Sequence, residues 1–262
     1  MEDSKSASEP EDATGEDAPP FEPFKDLCKQ RFLWYYESYL AAVDKVGSQV
    51  EVGQRFQNMP FESGRNGMDG AFRFPDLRRR LERIKAALDE ETQSWAKDGM
   101  KAVENESRVS VNLNHQFGQV SMSLKGGDMP HDLALEGGNP FVWVLTYFGR
   151  PMTNFDSGLL RIKIFFSTRF PEEQPRVKLE TKIFHHLVAQ DGTLCYTPNP
   201  SKKEDVRYHL DAVIAALEED EPAYDPRKLV NLEASKLFWN GGPENKKLYH
   251  RKLRRSVQDS LE

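Results

Sequence analysis

The sequence contains only two cysteines in 262 residues, Cys28 and Cys195, and they lie far apart along the chain. A disulfide framework is therefore not expected, and this cysteine usage is typical of proteins from the cytoplasm or the nucleus. Neither cysteine belongs to a Cys-x-x-Cys pair, and the six histidines are not spaced like zinc ligands. The sequence accordingly predicts no structural metal site and implies no cofactor.

Long apolar runs are also missing. No stretch reaches the 18 consecutive apolar residues of a membrane-spanning helix, so no membrane association is expected. The first 20 residues lack the basic and apolar parts of a signal peptide. They carry seven acidic residues and one basic residue, which equals the net charge of −6 of the whole chain, and residues 1–20 are predicted to form a disordered acidic tail. The remainder is neutral overall, so nucleic acid is not an expected partner.

Residues 21–74 are predicted to form a helical extension followed by a Gly-rich linker. Apolar and aromatic side chains recur there at helical spacing over residues 24–46. Eight such positions are too many to leave in water, so we expect this helix to pack on the rest of the chain, with binding to a partner protein as the alternative. Cys28 is interpreted as a packed small side chain rather than a reactive thiol. The eight positions are Phe24, Leu27, Phe32, Tyr35, Tyr36, Tyr39, Leu40 and Val43.

A second helix is predicted over residues 76–98, which begin just after Pro75 and end at Gly99. Leu77, Leu81, Ile84 and Leu88 define one apolar face. Basic residues cover the other faces, either as an ordinary solvated surface or as a docking surface for a partner. They are Arg78, Arg79, Arg80, Arg83 and Lys85.

Strand patterns follow. Residues 109–113 and 119–124 alternate between apolar and polar, and the runs 141–149, 159–167 and 176–184 are rich in aromatic and β-branched residues. Helical patterns return after Cys195. The predicted domain, residues 75–262, is therefore of the α+β class: a four-stranded antiparallel meander with an N-terminal helix and C-terminal helices.

Four short motifs occur in a telling order. "FGRPMTNFDSGLLRIKIFF" precedes "RFPEEQPRVKL"; "DGTLC" then places Cys195 ten residues after His185, and "VNLEASKLF" follows. In sequence, spacing and context, residues 141–238 resemble the core of a ubiquitin-conjugating enzyme. The alternative is that the chain is an unrelated α+β interaction domain that matches these motifs by chance.

The resemblance implies an acyltransferase. Cys195 would accept ubiquitin or a ubiquitin-like modifier as a thioester from an activating enzyme, in an ATP-dependent pathway, and pass it to an amine or a partner ligase or scaffold protein. A thiolate is the attacking species in such chemistry. Asp225 best matches the acidic residue that orients the acceptor amine. The helix at 76–98 matches the family's first helix, which makes its basic residues the expected docking surface for the activating enzyme.

The departures from the family pattern are specific. His-Pro-Asn reads His185-His186-Leu187 here, and Leu187 cannot donate a hydrogen bond to an oxyanion. Asn199, His186 and the backbone N–H groups of the cysteine loop are the alternative donors. His185 and His186 are also candidate bases, although the family's histidine is structural. Glu172 replaces the apolar residue that ligases usually contact. A catalytically inactive or regulatory binding module of the same fold is the alternative function.

Overall fold

The computed structural model describes residues 24–55, 70–125, 131–219, 222–225 and 229–261. The predicted acidic tail, residues 1–20, lies outside the described residues. None of the helices in the described ranges is both long enough and apolar enough to span a bilayer. The helices are α1 (Lys25–Gly47), α2 (Phe74–Glu104), α3 (Arg108–Lys125), α4 (Val206–Glu218), α5 (Leu232–Trp239) and α6 (Gly242–Gln258); the strands are β1 (Asp132–Leu135), β2 (Val142–Phe148), β3 (Leu159–Phe165) and β4 (Arg176–Leu179).

The four strands form one antiparallel sheet in the order β1-β2-β3-β4, which confirms the predicted meander and the α+β class. β2 lies inside the sheet, and five of its seven residues are buried. Trp143, the second residue of β2, is fully buried and donates its indole N–H to the carbonyl of Pro140 at 2.8 Å. The main core lies against this sheet and continues into the loop that carries Cys195.

The strands predicted at 109–113 and 119–124 are wrong, because both segments belong to α3. Their local alternation is embedded in a longer helical period: Leu113, Val120 and Leu124 are buried, whereas Val111 and Met122 face solvent. The helical period prevails because it buries one continuous face against the domain. The true first strand, β1, lies between the runs predicted as strands and belongs to none of them.

The helix that leads directly into β1 is therefore α3, not the basic helix α2. α2 packs through its C-terminal half, where Thr92, Trp95 and Gly99 are buried. Gly99 is required there, because a Cβ atom at this position would lie 2.5 Å from the ring of Phe141. Leu77, at the start of the predicted apolar face, is instead exposed.

α1 packs on the body of the molecule, as its aromatic pattern predicted. Lys29 pairs with Glu91 of α2 at 2.6 Å, and Ser38 donates to the carbonyl of Leu229 at 2.8 Å. Leu33 is buried in this interface. The interpretation of Cys28 as a packed side chain is wrong, because Cys28 lies on the exposed face of α1.

Candidate active site

The segment from Leu187 to Cys195 folds back on itself around Asp191 and Gly192. The N–H of Ala189 donates to the carbonyl of Thr193 at 2.9 Å, and the N–H of Cys195 donates to the carbonyl of Leu187 at 2.9 Å. Gly192 has a φ of +85°, and a Cβ atom there would lie 2.2 Å from the carbonyl oxygen of Leu179. The Asp-Gly pair thus fulfils the conformational requirement of the turn, since glycine adopts positive φ without strain.

The returning arm of this loop is attached to the sheet. The N–H of Leu194 donates to Val177 at 3.1 Å, and Leu179 donates to Gly192 at 2.8 Å. The loop therefore continues the ladder beyond β4 and fixes the backbone on which Cys195 stands. Cys195 itself is 3% exposed.

His185 lies under this loop as a structural residue. It is buried, and its Nδ1 accepts a hydrogen bond from the N–H of Leu187 at 3.2 Å. Burial, together with the neighbouring His186 ring, lowers the pKa of His185 well below its ordinary value, so the ring stays neutral near pH 7. A neutral His185 that holds the loop backbone fits a supporting role better than that of a base.

The His186 ring lies in an aromatic cluster with residues of the C-terminal helices. Its ring stacks on Phe238 with centroids 5.5 Å apart and lies edge-on to Trp239 at 5.0 Å. Its Nδ1 lies 2.9 Å from the hydroxyl of Tyr249. These contacts make His186 a link between the active-site loop, α5 and α6.

Leu187 packs its side chain into the core and is 3% exposed. Asn231, the N-cap residue of α5, supports the loop from the same side. Its N–H donates to the carbonyl of His186 at 3.2 Å, and its side-chain amide donates to Val188 at 3.3 Å. Sequence reasoning missed Asn231 as a site residue, although an Asn directly before a helix signals a cap.

The two remaining candidates, Asn199 and Asp225, follow Cys195 along the chain. Asn199 is exposed and caps the short turn at 200–202, where its side-chain oxygen accepts the N–H of Ser201 at 3.0 Å. That arrangement leaves its NH₂ group as the donor facing outward. Asp225 is half-buried in the short described segment 222–225.

A third group of residues comes from α1, and sequence reasoning did not place it at the site. Glu37 accepts the N–H of Gln190 at 2.5 Å, and Ser38 bonds to Leu229 on the other side. Burial, followed by the negative charge of a Cys195 thiolate, raises the pKa of Tyr35 to about 12; the charge of Asp225 acts in the same direction. Tyr35 therefore stays protonated near both residues. The only sequence signal was the aromatic density of this helix.

The basic residues of α2 divide into two groups. Arg78 pairs with Asp44 and Glu82, and Arg79 pairs with Asp76, all near the surface. Arg80 and Arg83 are exposed. Lys85 is only 11% exposed and contacts Asp191 of the active-site turn at 2.8 Å.

Sequence comparison relates the part of the chain that carries this site to a known family. The chain matches the family model described as "Ubiquitin-conjugating enzyme" over residues 125–228. It is similar to "Ubiquitin-conjugating enzyme E2 1" of Caenorhabditis elegans, with 27% identity over 124 residues. The alignment covers 47% of this chain and 61% of that relative, so the chain spans less than two thirds of the relative's length. The family match contains Cys195 and Asp225, whereas α1 and α2 precede it.

Proposed function

Residues 125–228 make this chain a member of the ubiquitin-conjugating enzyme family, and on that premise we propose that it carries ubiquitin or a ubiquitin-like modifier as a thioester on Cys195. The observation that carries the proposal is the position of Cys195. It ends a turn whose backbone is held by β4, by Leu187 and, through Val188, by Asn231. A nucleophile on such a fixed backbone can be brought to a protein-bound thioester in a reproducible geometry.

Loading is a transthiolation. The Cys195 thiolate attacks the carbonyl carbon of the modifier's terminal glycine, which is held as a thioester on the activating enzyme. A new C–S bond forms, the bond to the activating enzyme's cysteine breaks, and that sulfur leaves as a thiolate. No net oxidation or proton transfer is needed, so the step depends on access and orientation.

Discharge is the more demanding step. A neutral amine attacks the same carbonyl, the oxygen takes up negative charge, and the Cys195 thiolate leaves while the amine loses a proton. Asp225, whose charge acts on Tyr35 as does that of Cys195, is the proposed acceptor or orienting group. The oxyanion donor is proposed to be Asn199 or loop N–H groups, because the Leu187 side chain offers none and the His186 ring packs against Phe238 and Trp239.

The activating enzyme is proposed to dock on the exposed arginines of α2. Arg79, Arg80 and Arg83 are available there, whereas Lys85 is engaged inside the molecule. Exposed charges act mainly on the association rate and its salt dependence. Arg79→Glu with Arg83→Glu should slow loading at low salt; equal loading of variant and parent would place the docking surface elsewhere, with α3 the next candidate.

The second candidate function, a regulatory binding module without catalysis, is favoured by one observation, the burial of Cys195. A loading assay separates the two. The protein is incubated with an activating enzyme, ATP and each of a panel of modifiers, and run on a gel without reductant. A reducible adduct that is lost in Cys195→Ala and kept in Cys28→Ala supports the carrier function. No adduct with any modifier, in the parent or in variants that expose Cys195, supports the binding module.

A further inference from the structure

α1 crosses the active site rather than merely flanking it. Its middle is tied to both walls of the site: Glu37 accepts from Gln190 in the cysteine loop, and Ser38 donates to Leu229 in the segment before α5. Cys195 belongs to the first wall and Asp225 to the second. A helix bonded to both walls must span the opening between them.

The N-terminal half of α1 seals one end of this opening. Gln30, Leu33 and Trp34 line one small cavity together with residues of β4 and with Thr193, Leu194 and Tyr196, the neighbours of Cys195 in sequence. Leu33, at 6% exposed, is the central apolar side chain of this interface.

A polar latch holds the beginning of the helix. Asp26 pairs with the guanidinium of Arg176, which is 7% exposed, and accepts the N–H of Gln174 at 3.0 Å. The other face of Arg176 lies over the ring of Trp95 at 5.2 Å. Because a buried guanidinium without its carboxylate is costly, this latch favours the docked position of α1.

From these contacts we infer that α1 is a built-in cover that occludes Cys195 and must shift before a modifier can reach the sulfur. Under the proposed function, the path inferred for the modifier's C-terminal tail runs between the cysteine loop and the segment before α5, where Glu37 and Ser38 now make their hydrogen bonds. The docked chain is thus the closed form, and any partner that binds the exposed face of α1 can open it by differential binding.

The occlusion itself can be tested without assuming the proposed function. Iodoacetamide alkylates exposed thiols, and Cys28, which is exposed on α1, serves as a reference in the same molecule. In the full-length protein, peptide mass spectrometry should show Cys195 reacting at least about tenfold more slowly than Cys28, since it reacts only through opening. Equal rates of the two cysteines would overturn the inference.

A matched pair of substitutions tests whether α1 is responsible. Leu33→Asn places an amide in the buried interface, whereas Leu27→Asn makes the same change at a position that is 39% exposed. Leu33→Asn should raise the alkylation rate of Cys195 by about tenfold or more, because one buried contact of the closed form is lost. Leu27→Asn should leave it unchanged, and Cys28 should not respond to either. A Cys195 rate that ignores Leu33→Asn refutes the cover.

A milder variant decides the matter if Leu33→Asn unfolds the domain, as judged by circular dichroism. Glu37→Ala with Ser38→Ala removes the two bonds that span the site and leaves Leu33 in place. It should also accelerate alkylation of Cys195, by a smaller factor. No acceleration in this double variant then overturns the inference.

The consequence for loading rests on the proposed function and is measured separately. The opened variants should form the modifier thioester faster than the parent. Faster alkylation without a thioester in any variant supports the cover and removes the carrier function. Faster alkylation with an unchanged loading rate shows that α1 does not limit access of the modifier. That result would refute the inference that the docked position of α1 inhibits loading.

Discussion

Lys85 offers the sharpest test of how the active-site loop is held. Its ammonium lies 2.8 Å from Asp191, at the tip of the cysteine loop, and 2.5 Å from Asp89 on its own helix. Lys85→Met removes the charge while keeping an unbranched side chain of similar length. We expect this change to loosen the loop from α2 rather than to weaken a docking surface.

The size of the effect follows from Asp191. Burial would raise the pKa of Asp191, but the hydrogen bonds from Lys85 and from the N–H of Thr193, aided by the charges of Lys85 and Lys178, lower it from 3.8 to about 2. At about 1.4 kcal/mol per pH unit this is a little over 2 kcal/mol. Two factors reduce the loss of unfolding free energy expected for Lys85→Met to about 1 kcal/mol. The Asp191 side chain is 34% exposed, so solvent screens its charge, and part of the pKa shift comes from Thr193 and Lys178.

The sign of the pH dependence is fixed by the lowered pKa. The stabilisation is fully present above about pH 3.9, the unfolded value, and is lost as the pH falls through about 2, the folded value. Between pH 6 and pH 3 the side-chain carboxyl of Asp191 in the parent should therefore remain ionised. In Lys85→Met its carbon-13 chemical shift should begin to titrate in that range.

The measurement combines this NMR titration with urea unfolding at pH 7. Arg83→Met is the matched control, because Arg83 is an exposed cation two residues earlier on the same helix. The control should change neither the Asp191 titration nor the free energy of unfolding by more than about 0.5 kcal/mol. An Asp191 that titrates identically in both variants, or an equal loss of stability in Arg83→Met, would refute the role given to Lys85.

Three further predictions concern packing, protonation and discharge. Gly99→Ala should destabilise the fold by about 1–3 kcal/mol in urea unfolding, because its Cβ would meet Phe141. Gly118→Ala, whose Cβ would meet nothing within 4 Å, should stabilise α3 by about 0.5–1 kcal/mol, and a stabilising effect of both substitutions would contradict the packing. Because burial lowers the pKa of His185, the unfolded chain takes up a proton at a higher pH than the folded chain does. The free energy of unfolding should therefore fall as the pH drops below about 6.5, and it should fall less steeply in His185→Gln. Parallel curves of unfolding free energy against pH for parent and variant would exclude this. Asn199→Ala should leave loading unchanged and slow aminolysis of the thioester by free lysine about tenfold or more; an unchanged rate assigns the oxyanion to backbone groups.

Strands β2, β3 and β4 could be predicted from sequence because their runs contain aromatic and β-branched residues and lie close together along the chain, whereas the short β1 was missed. α3 could not, since five residues of local alternation resemble a strand and only the sixteen-residue pattern from Val109 to Leu124 reveals the helix. The sequence predicts the basic surface of α2, but it does not predict that Lys85 turns inward, because its partner Asp191 lies far along the chain. The cover over Cys195 is a long-range feature of the same kind: local periodicity predicts that α1 buries a face, and only the folded chain shows which one.

Leu187 stands where the resemblance to the family implies an asparagine, and the folded chain shows what its side chain does there. The cysteine loop needs a buried anchor at this position, and Leu187 supplies one by packing its side chain into the core while its carbonyl accepts the N–H of Cys195. His185 and Asn231 hold the neighbouring backbone through hydrogen bonds. One amide side chain could both support the loop and stabilise an oxyanion. In this chain the two roles must fall to different groups, because Leu187 can only support the loop. Transthiolation needs only the positioned sulfur, whereas aminolysis also needs the donor that Leu187 lacks. Under the proposed function, discharge to an amine therefore requires a donor from Asn199, from the loop backbone or from a bound partner, in addition to the opening of α1 that loading requires.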